Sequence, residues 1–110
     1  MKEKNHEETK LQSEIMIALS QYGIPIRQQC GKFKTMYGGI ISIGIPGMSD
    51  VLCCRNDGEP FWLELKTNKG RPSKEQLHFL EVMKSIHVEA SIIRSVEEAI
   101  NFIKNKVPID

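Results

Sequence analysis

The chain has 110 residues, 40% of them hydrophobic and 26% charged, with a formal net charge of +1. That length supports one domain around a single core and leaves no material for a second. The near-neutral balance removes any argument from bulk charge to nucleic acid, and no apolar run reaches membrane-spanning length. The polar stretch Met1 to Glu8 lacks the apolar segment of a secretory signal, so a cytoplasmic protein with residues 1–7 flexible is expected.

A first helix is expected from about Glu8 to Tyr22, with Leu11, Ile15, Ala18 and Tyr22 as its apolar stripe, stopping at Gly23 and Pro25. Glu14 borders that stripe. It is placed either to aim a carboxylate along the sheet edge towards a metal or to serve as an ordinary surface acid at the rim of a buried face. A strand over Ile26 to Cys30 follows, then a glycine-rich connection from Gly31 to Gly39, and a second extended piece at Ile40 to Ile43. Arg27, Lys32 and Lys34 form an acid-free basic run here. Gly44-Ile45-Pro46-Gly47 turns the chain into Asp50. These glycines lack the Gly-Lys-Ser/Thr ending of a phosphate-binding loop, so they serve turn geometry.

The most informative segment is Gly47-Met48-Ser49-Asp50 followed by Glu64-Leu65-Lys66. Two apolar runs, Val51 to Cys54 and Phe61 to Leu65, flank Arg55-Asn56-Asp57-Gly58-Glu59, which reads as a tight hairpin. If the loop is Asn56, Asp57 and Gly58, with the glycine in the left-handed conformation, Arg55 pairs with Glu59 and Asp50 lies directly opposite Glu64. A two-residue loop would oppose Asp50 to Leu65 and send the two carboxylates to different faces. In either register Trp62, Glu64 and Lys66 share one face, and Phe61, Leu63 and Leu65 the other.

Beyond the hairpin, Pro72-Ser73-Lys74-Glu75-Gln76 opens a helix reaching towards Ile86, with Ser73 and Gln76 spaced as a capping box. Val88 to Ile93 reads as a strand, and Ser95 with Glu98 repeats the capping pattern before a final helix containing Val96, Ala99, Ile100 and Ile103. A mixed sheet flanked by helices, an α/β core, is expected. The three cysteines form no disulfide or zinc pattern: Cys53 and Cys54 are adjacent on a strand and point to opposite faces, so reduced thiols packing in the core are expected.

Directly opposed residues have Cβ atoms roughly 4.5–5.5 Å apart, close enough for two carboxylates to share a divalent cation and too close for two bare charges to coexist comfortably. Oxygen donors without His or Cys favour Mg²⁺ or Mn²⁺. The plainer reading of Glu64 and Lys66 is a charged, solvated sheet face; Asp50 across the hairpin argues against it. Lys66, Lys69, Arg71 and Lys74 form a second basic run, suited to phosphate contacts or to a solvated loop.

These residues carry a resemblance to the PD-(D/E)xK nucleases, and among them to the VRR-NUC domain, the virus-type replication-repair nuclease. Gly47-Met48-Ser49-Asp50 is similar to its G-x-x-D, Glu64-Leu65-Lys66 to its E-x-K, Glu14 to its first-helix acid, and Gln76 to the glutamine opening its next helix. The likeness runs from roughly Leu11 to Ile103; Ser49 stands where many relatives have proline. The resemblance implies a restriction-endonuclease-like core, a central mixed sheet in the order αβββαβ plus a C-terminal helix, and a metal-dependent endonuclease hydrolysing DNA. It implies Asp50, Glu64 and the Leu65 backbone carbonyl as ligands of Mg²⁺ or Mn²⁺, with Glu14 a further ligand. Lys66 would orient water or stabilise charge, and Gln76 would steady Lys66 or a phosphate. Lys69, Arg71, Lys74, Lys32 and Lys34 are the expected DNA contacts.

Compact forms of this domain, typical of phages, are similar to Holliday-junction resolvases, which implies a homodimer acting on branched DNA, as in DNA repair. The same residues would also serve a general or flap-nicking endonuclease. A noncatalytic nucleic-acid-binding module is the reading from another class.

Overall fold

Alternation along Phe61 to Leu65 sets the layers of the molecule. In a computed structural model, which describes residues 6–28 and 31–105, the elements run α1 (His6–Leu19), β1 (Gly23–Arg27), β2 (Gly31–Lys34), β3 (Ile40–Ile43), β4 (Val51–Arg55), β5 (Pro60–Leu65), α2 (Lys74–Ser85), β6 (Glu89–Ile93) and α3 (Val96–Asn105). The main sheet is mixed, in the order β1-β4-β5-β6, antiparallel except for the β5–β6 pair joined through α2. Phe61, Leu63 and Leu65 enter a core with Val51, Cys53, Ile93, Ile15 and Leu19 of α1, and Ala99 and Ile103 of α3. Trp62 points the other way, into a smaller cluster with Phe79, Leu80 and Ala90 beneath α2. Trp62 meets Phe79 edge to face at 5.1 Å, as Phe61 meets Phe102 at 5.2 Å on the opposite side.

The hairpin adopts the register with the three-residue loop. Gly58 N–H donates to the Arg55 carbonyl at 2.8 Å and Arg55 N–H to the Glu59 carbonyl at 2.9 Å, with Gly58 at φ +90°. The ladder then runs from Cys54 opposite Pro60 to Val51 opposite Leu63. One further step opposes Asp50 to Glu64.

Several boundaries differ from expectation. Helix α1 already includes His6 and Glu7, within the stretch 1–7 expected to be flexible; residues 1–5 lie outside the described residues. It ends at Leu19, and the strand begins at Gly23 rather than Ile26, running through Pro25. Proline is tolerated because β1 is an edge strand, where its missing N–H breaks no ladder. The Gly31–Gly39 segment is more than a connection: β2 and β3 form a two-stranded hairpin outside the main sheet. With that hairpin inserted between β1 and β4, the main sheet keeps the expected αβββαβ order. Cys53 and Cys54 are free thiols, and burial, helped by neighbouring Cys54, pushes the Cys53 thiol up to about 11, so it packs as a protonated side chain. Cys30 lies outside the described residues. Among those residues no helix is long and apolar enough to cross a membrane.

At the turn end of the sheet, Arg55 grips Asp57 through two hydrogen bonds, 2.9 and 2.6 Å, and donates a third, 2.6 Å, to the carbonyl of Ile103 in α3. Those bonds hold the Asp57 carboxyl down, from its ordinary 3.8 to about 2. A depressed carboxyl stabilises the fold above its unfolded value and loses that contribution as pH falls through the folded one. Asp57→Asn is therefore expected to be less stable than wild type near pH 6, the gap closing between about pH 4 and pH 2 in urea titrations.

Helix α2 ends with Val88 N–H donating to the Met83 carbonyl at 2.9 Å and His87 N–H to that of Lys84 at 3.0 Å, while His87 sits at φ +66°. That termination normally takes glycine. Replacing His87 with Gly should raise stability by about 1 kcal/mol, read as a higher urea midpoint.

Candidate active site

The site is assembled at the end of β4 and β5 remote from the Arg55–Asp57 turn. Asp50 precedes β4, and its carbonyl accepts from Gln28 N–H at 2.8 Å, extending the β1–β4 ladder. Its side chain reaches across to β5, where Oδ2 accepts from the Leu65 N–H at 2.9 Å. Glu64, opposite Asp50, is only 1% exposed. The plainer reading of a charged, solvated face does not hold at Glu64, which α2 covers. Lys66 Nζ lies 3.9 Å from Glu64 Oε2, and Gln76 Nε2 donates to the same oxygen at 3.3 Å. A buried carboxylate requires such partners, since desolvating a lone charge costs several kcal/mol.

Gln76 forms the expected capping box, and its amide also reaches Glu64, a contact the sequence did not suggest. Its Oε1 accepts from Ser73 N–H at 2.8 Å while Ser73 Oγ accepts from Gln76 N–H at 3.1 Å, completing the capping box. The remaining end of the amide is turned to Glu64, so the N-terminus of α2 is tied directly to the acid on β5.

The loop before Asp50 is pressed against the same helix end. Gly47 has φ +79°, and a Cβ there would overlap the Glu75 carbonyl and lie 2.7 Å from the Gln76 nitrogen. Only glycine satisfies both conditions. Ser49, next to Asp50, is buried, and its hydroxyl has no hydrogen-bond partner.

Glu14 is not brought to this pair. Its side chain is half exposed and 4.0 Å from Lys10 on the same helix, and among the described residues no three His, Cys, Asp or Glu side chains converge on a metal position. The buried face of α1 instead carries Gln12, Ile15 and Leu19. At 100° per residue, the acid that continues this stripe is half-buried Glu8. The apolar stripe ran close enough to Glu14 to suggest it, but buried Gln12 shifts the face round the helix, and a polar residue gives no hydrophobic signal.

The expected basic contacts Lys69, Arg71, Lys74, Lys32 and Lys34 are all exposed. Lys69 and Arg71 share a cleft with Asn68, Gly70 and Arg94, which continues to Glu7 and Leu11 of α1. Arg94 had no distinguishing sequence pattern. Its Nη1 donates to the carbonyls of Thr67 at 2.6 Å and Gly70 at 2.8 Å, giving the loop after Lys66 a fixed course.

No protein-family model matches the sequence, and no curated protein matches it. Among solved structures, one described as a VRR_NUC domain superposes with a TM-score of 0.69, at 15% identity, over 94% of this chain and 100% of that one. The chain has the VRR-NUC fold. Agreement over the whole neighbouring chain at so low an identity is a likeness of architecture.

Within this VRR-NUC fold the donor set can be tested against a metal ion. Asp50 and Glu64 are hard oxygen donors, the kind of which Mg²⁺ or Mn²⁺ takes one or two while retaining waters. A closed four-ligand zinc site does not fit. The Gly47 contact gives a direct test of how the site is held. Gly47→Ala should lower stability by about 1–3 kcal/mol from backbone strain, visible as an earlier urea transition, with the overlap on Glu75 adding to it.

Proposed function

We propose that this protein is a metal-dependent DNA endonuclease that hydrolyses phosphodiester bonds, prefers branched DNA such as Holliday junctions, and works as a homodimer. The observation carrying this reading is the grouping of Asp50, buried Glu64 and Lys66 at one end of a VRR-NUC fold. Asp50 and Glu64, with the Leu65 carbonyl, are the residues to hold Mg²⁺ or Mn²⁺. When bound, such an ion supplies Lewis-acid polarisation of the scissile phosphate and lowers the pKa of an attacking water.

The chain's own groups do the rest. The Asp50 carboxylate is oriented by the Leu65 amide, which donates to its Oδ2. Lys66, a protonated amine beside Glu64, offers fixed positive charge to a phosphate whose negative charge grows as it becomes five-coordinate. Gln76 fixes one oxygen of Glu64 and so acts as a positioning residue. Exposed Lys69, Arg71 and Lys74 continue the positive surface beyond Lys66 for the DNA backbone. Dimerisation is supported by edge strand β1, which leaves Ile24 and Ile26 exposed, and by the match between a two-fold pair of sites and two symmetry-related strands.

The test incubates the protein with a labelled four-way junction and a matched linear duplex, with Mg²⁺, Mn²⁺ or EDTA. Paired junction cleavage is expected, abolished by EDTA and reduced at least about 100-fold in Asp50→Asn and Lys66→Ala. Gln76→Glu should keep the capping box yet lower both the unfolding midpoint and cleavage, by setting a carboxylate against buried Glu64 in place of its donor. Equal cutting of both DNAs would replace the branched preference with a general endonuclease, and binding without cutting would leave a noncatalytic module.

A further inference from the structure

We propose that the β2–β3 hairpin is a base-contacting wedge, in which Tyr37, with Met36 beside it, stacks on an unstacked base at a DNA branch point while Lys32 and Lys34 hold the adjoining phosphates. This rests on the nuclease reading above for the identity of the ligand. Its structural basis is a comparison of two turns in the same chain.

At the β4–β5 turn, Arg55 N–H donates to Glu59 and Gly58 N–H to Arg55; at the β2–β3 tip, Thr35 N–H donates to the Gly39 carbonyl at 2.9 Å and Gly38 N–H to the Thr35 carbonyl at 3.2 Å. Gly38 at φ +85° corresponds to Gly58 at +90°. Both are three-residue loops closed by left-handed glycine. The first loop fills its leading positions with Asn56 and Asp57, the polar residues such turns favour. The second fills them with Met36 and Tyr37, which are 90% and 93% exposed and belong to neither core cluster. Thr35 Oγ1 also accepts from Gly39 N–H at 3.0 Å, so the tip is a bonded turn that presents these two side chains in a set geometry.

The surroundings favour nucleic acid as the occupant. Lys32 and Lys34 are exposed on β2, and from Arg27 to Ser49 the sequence contains no acidic residue, so three cations stand unopposed in a chain whose total is +1. Both legs of the hairpin lead to the site. Before it, Gln28 N–H is hydrogen-bonded to the Asp50 carbonyl, and the segment after it runs through Gly47 into Asp50 itself. Aromatic stacking on a base accepts any sequence, and inserting a wedge is least costly where bases have already lost their neighbours. The hairpin would thus select for branch points rather than for sequence.

The test measures binding in EDTA, without cleavage, to a four-way junction carrying 2-aminopurine at its branch point and to the matched linear duplex, for wild type, Tyr37→Ala and Tyr37→Phe. The ratio of junction to duplex affinity should fall about 5- to 150-fold in Tyr37→Ala and be retained in Tyr37→Phe, and the 2-aminopurine signal on binding should disappear only in the alanine variant. Thermal unfolding confirms that the variants fold. An unchanged ratio, an equal loss on both DNAs, or a change of oligomeric mass in Tyr37→Ala would overturn the wedge, the last by making the hairpin an interface between copies. Failure of the nuclease reading is separate: it appears as wild type that does not cut with Mg²⁺ or Mn²⁺.

Discussion

A carboxylate removed from water is the constraint around which this molecule is organised. Glu64 sits on a sheet strand beneath α2, where an unsupported charge would cost more than most single side chains contribute to stability. Its support comes from Lys66 two residues along and from Gln76 on the covering helix. The helix therefore has to dock with its first turn over the strand. The capping box that starts α2 and the amide that braces Glu64 are one residue, which couples helix initiation to the geometry of the acid pair.

The two ends of the sheet divide the work. At the turn end, Arg55 joins the β4–β5 loop to the last turn of α3 and lies 5.0 Å over the Phe61 ring, a set of contacts that stabilises and has no free chemistry. At the other end the polar groups are oriented by the elements around them. The Asp50 carboxylate is aimed by a backbone amide, Arg94 ties down the loop after Lys66, and Gly47 lets the preceding loop touch the start of α2. Rigid elements thus hold the side chains, and the loops around them carry the exposed cations.

The hairpin between β1 and β4 belongs to this second end by connectivity, although it pairs with no strand of the main sheet. A main sheet that needed only to join two neighbouring antiparallel strands could have done so with a short turn. The chain instead builds a bonded projection with an aromatic residue and a methionine at its tip. None of its described side chains belongs to either core cluster, and the two at its tip stand in solvent.

Much of the site could be read locally. A left-handed glycine at position 58 determines the loop length, the loop length determines the register, and the register with a period of 2 sets Asp50 against Glu64 and puts Lys66 on the same face; every step involves near neighbours in sequence. The Ser73–Gln76 cap and the α2 and β6 elements are equally local. What sequence could not decide depends on which faces meet. The burial of Glu64 is set only when α2 lies over it, and Glu14 borders the apolar stripe of the sequence until packing against the sheet turns Gln12 inward instead. Glycine-rich residues 31–39 look like a linker because the pairing of β2 with β3 carries only a weak alternating pattern, and Arg94 is one cation among many until its guanidinium meets two carbonyls 24 and 27 residues away. Local backbone chemistry is written in short spacings, whereas burial and long-range hydrogen bonds exist only once the helices have docked on the sheet.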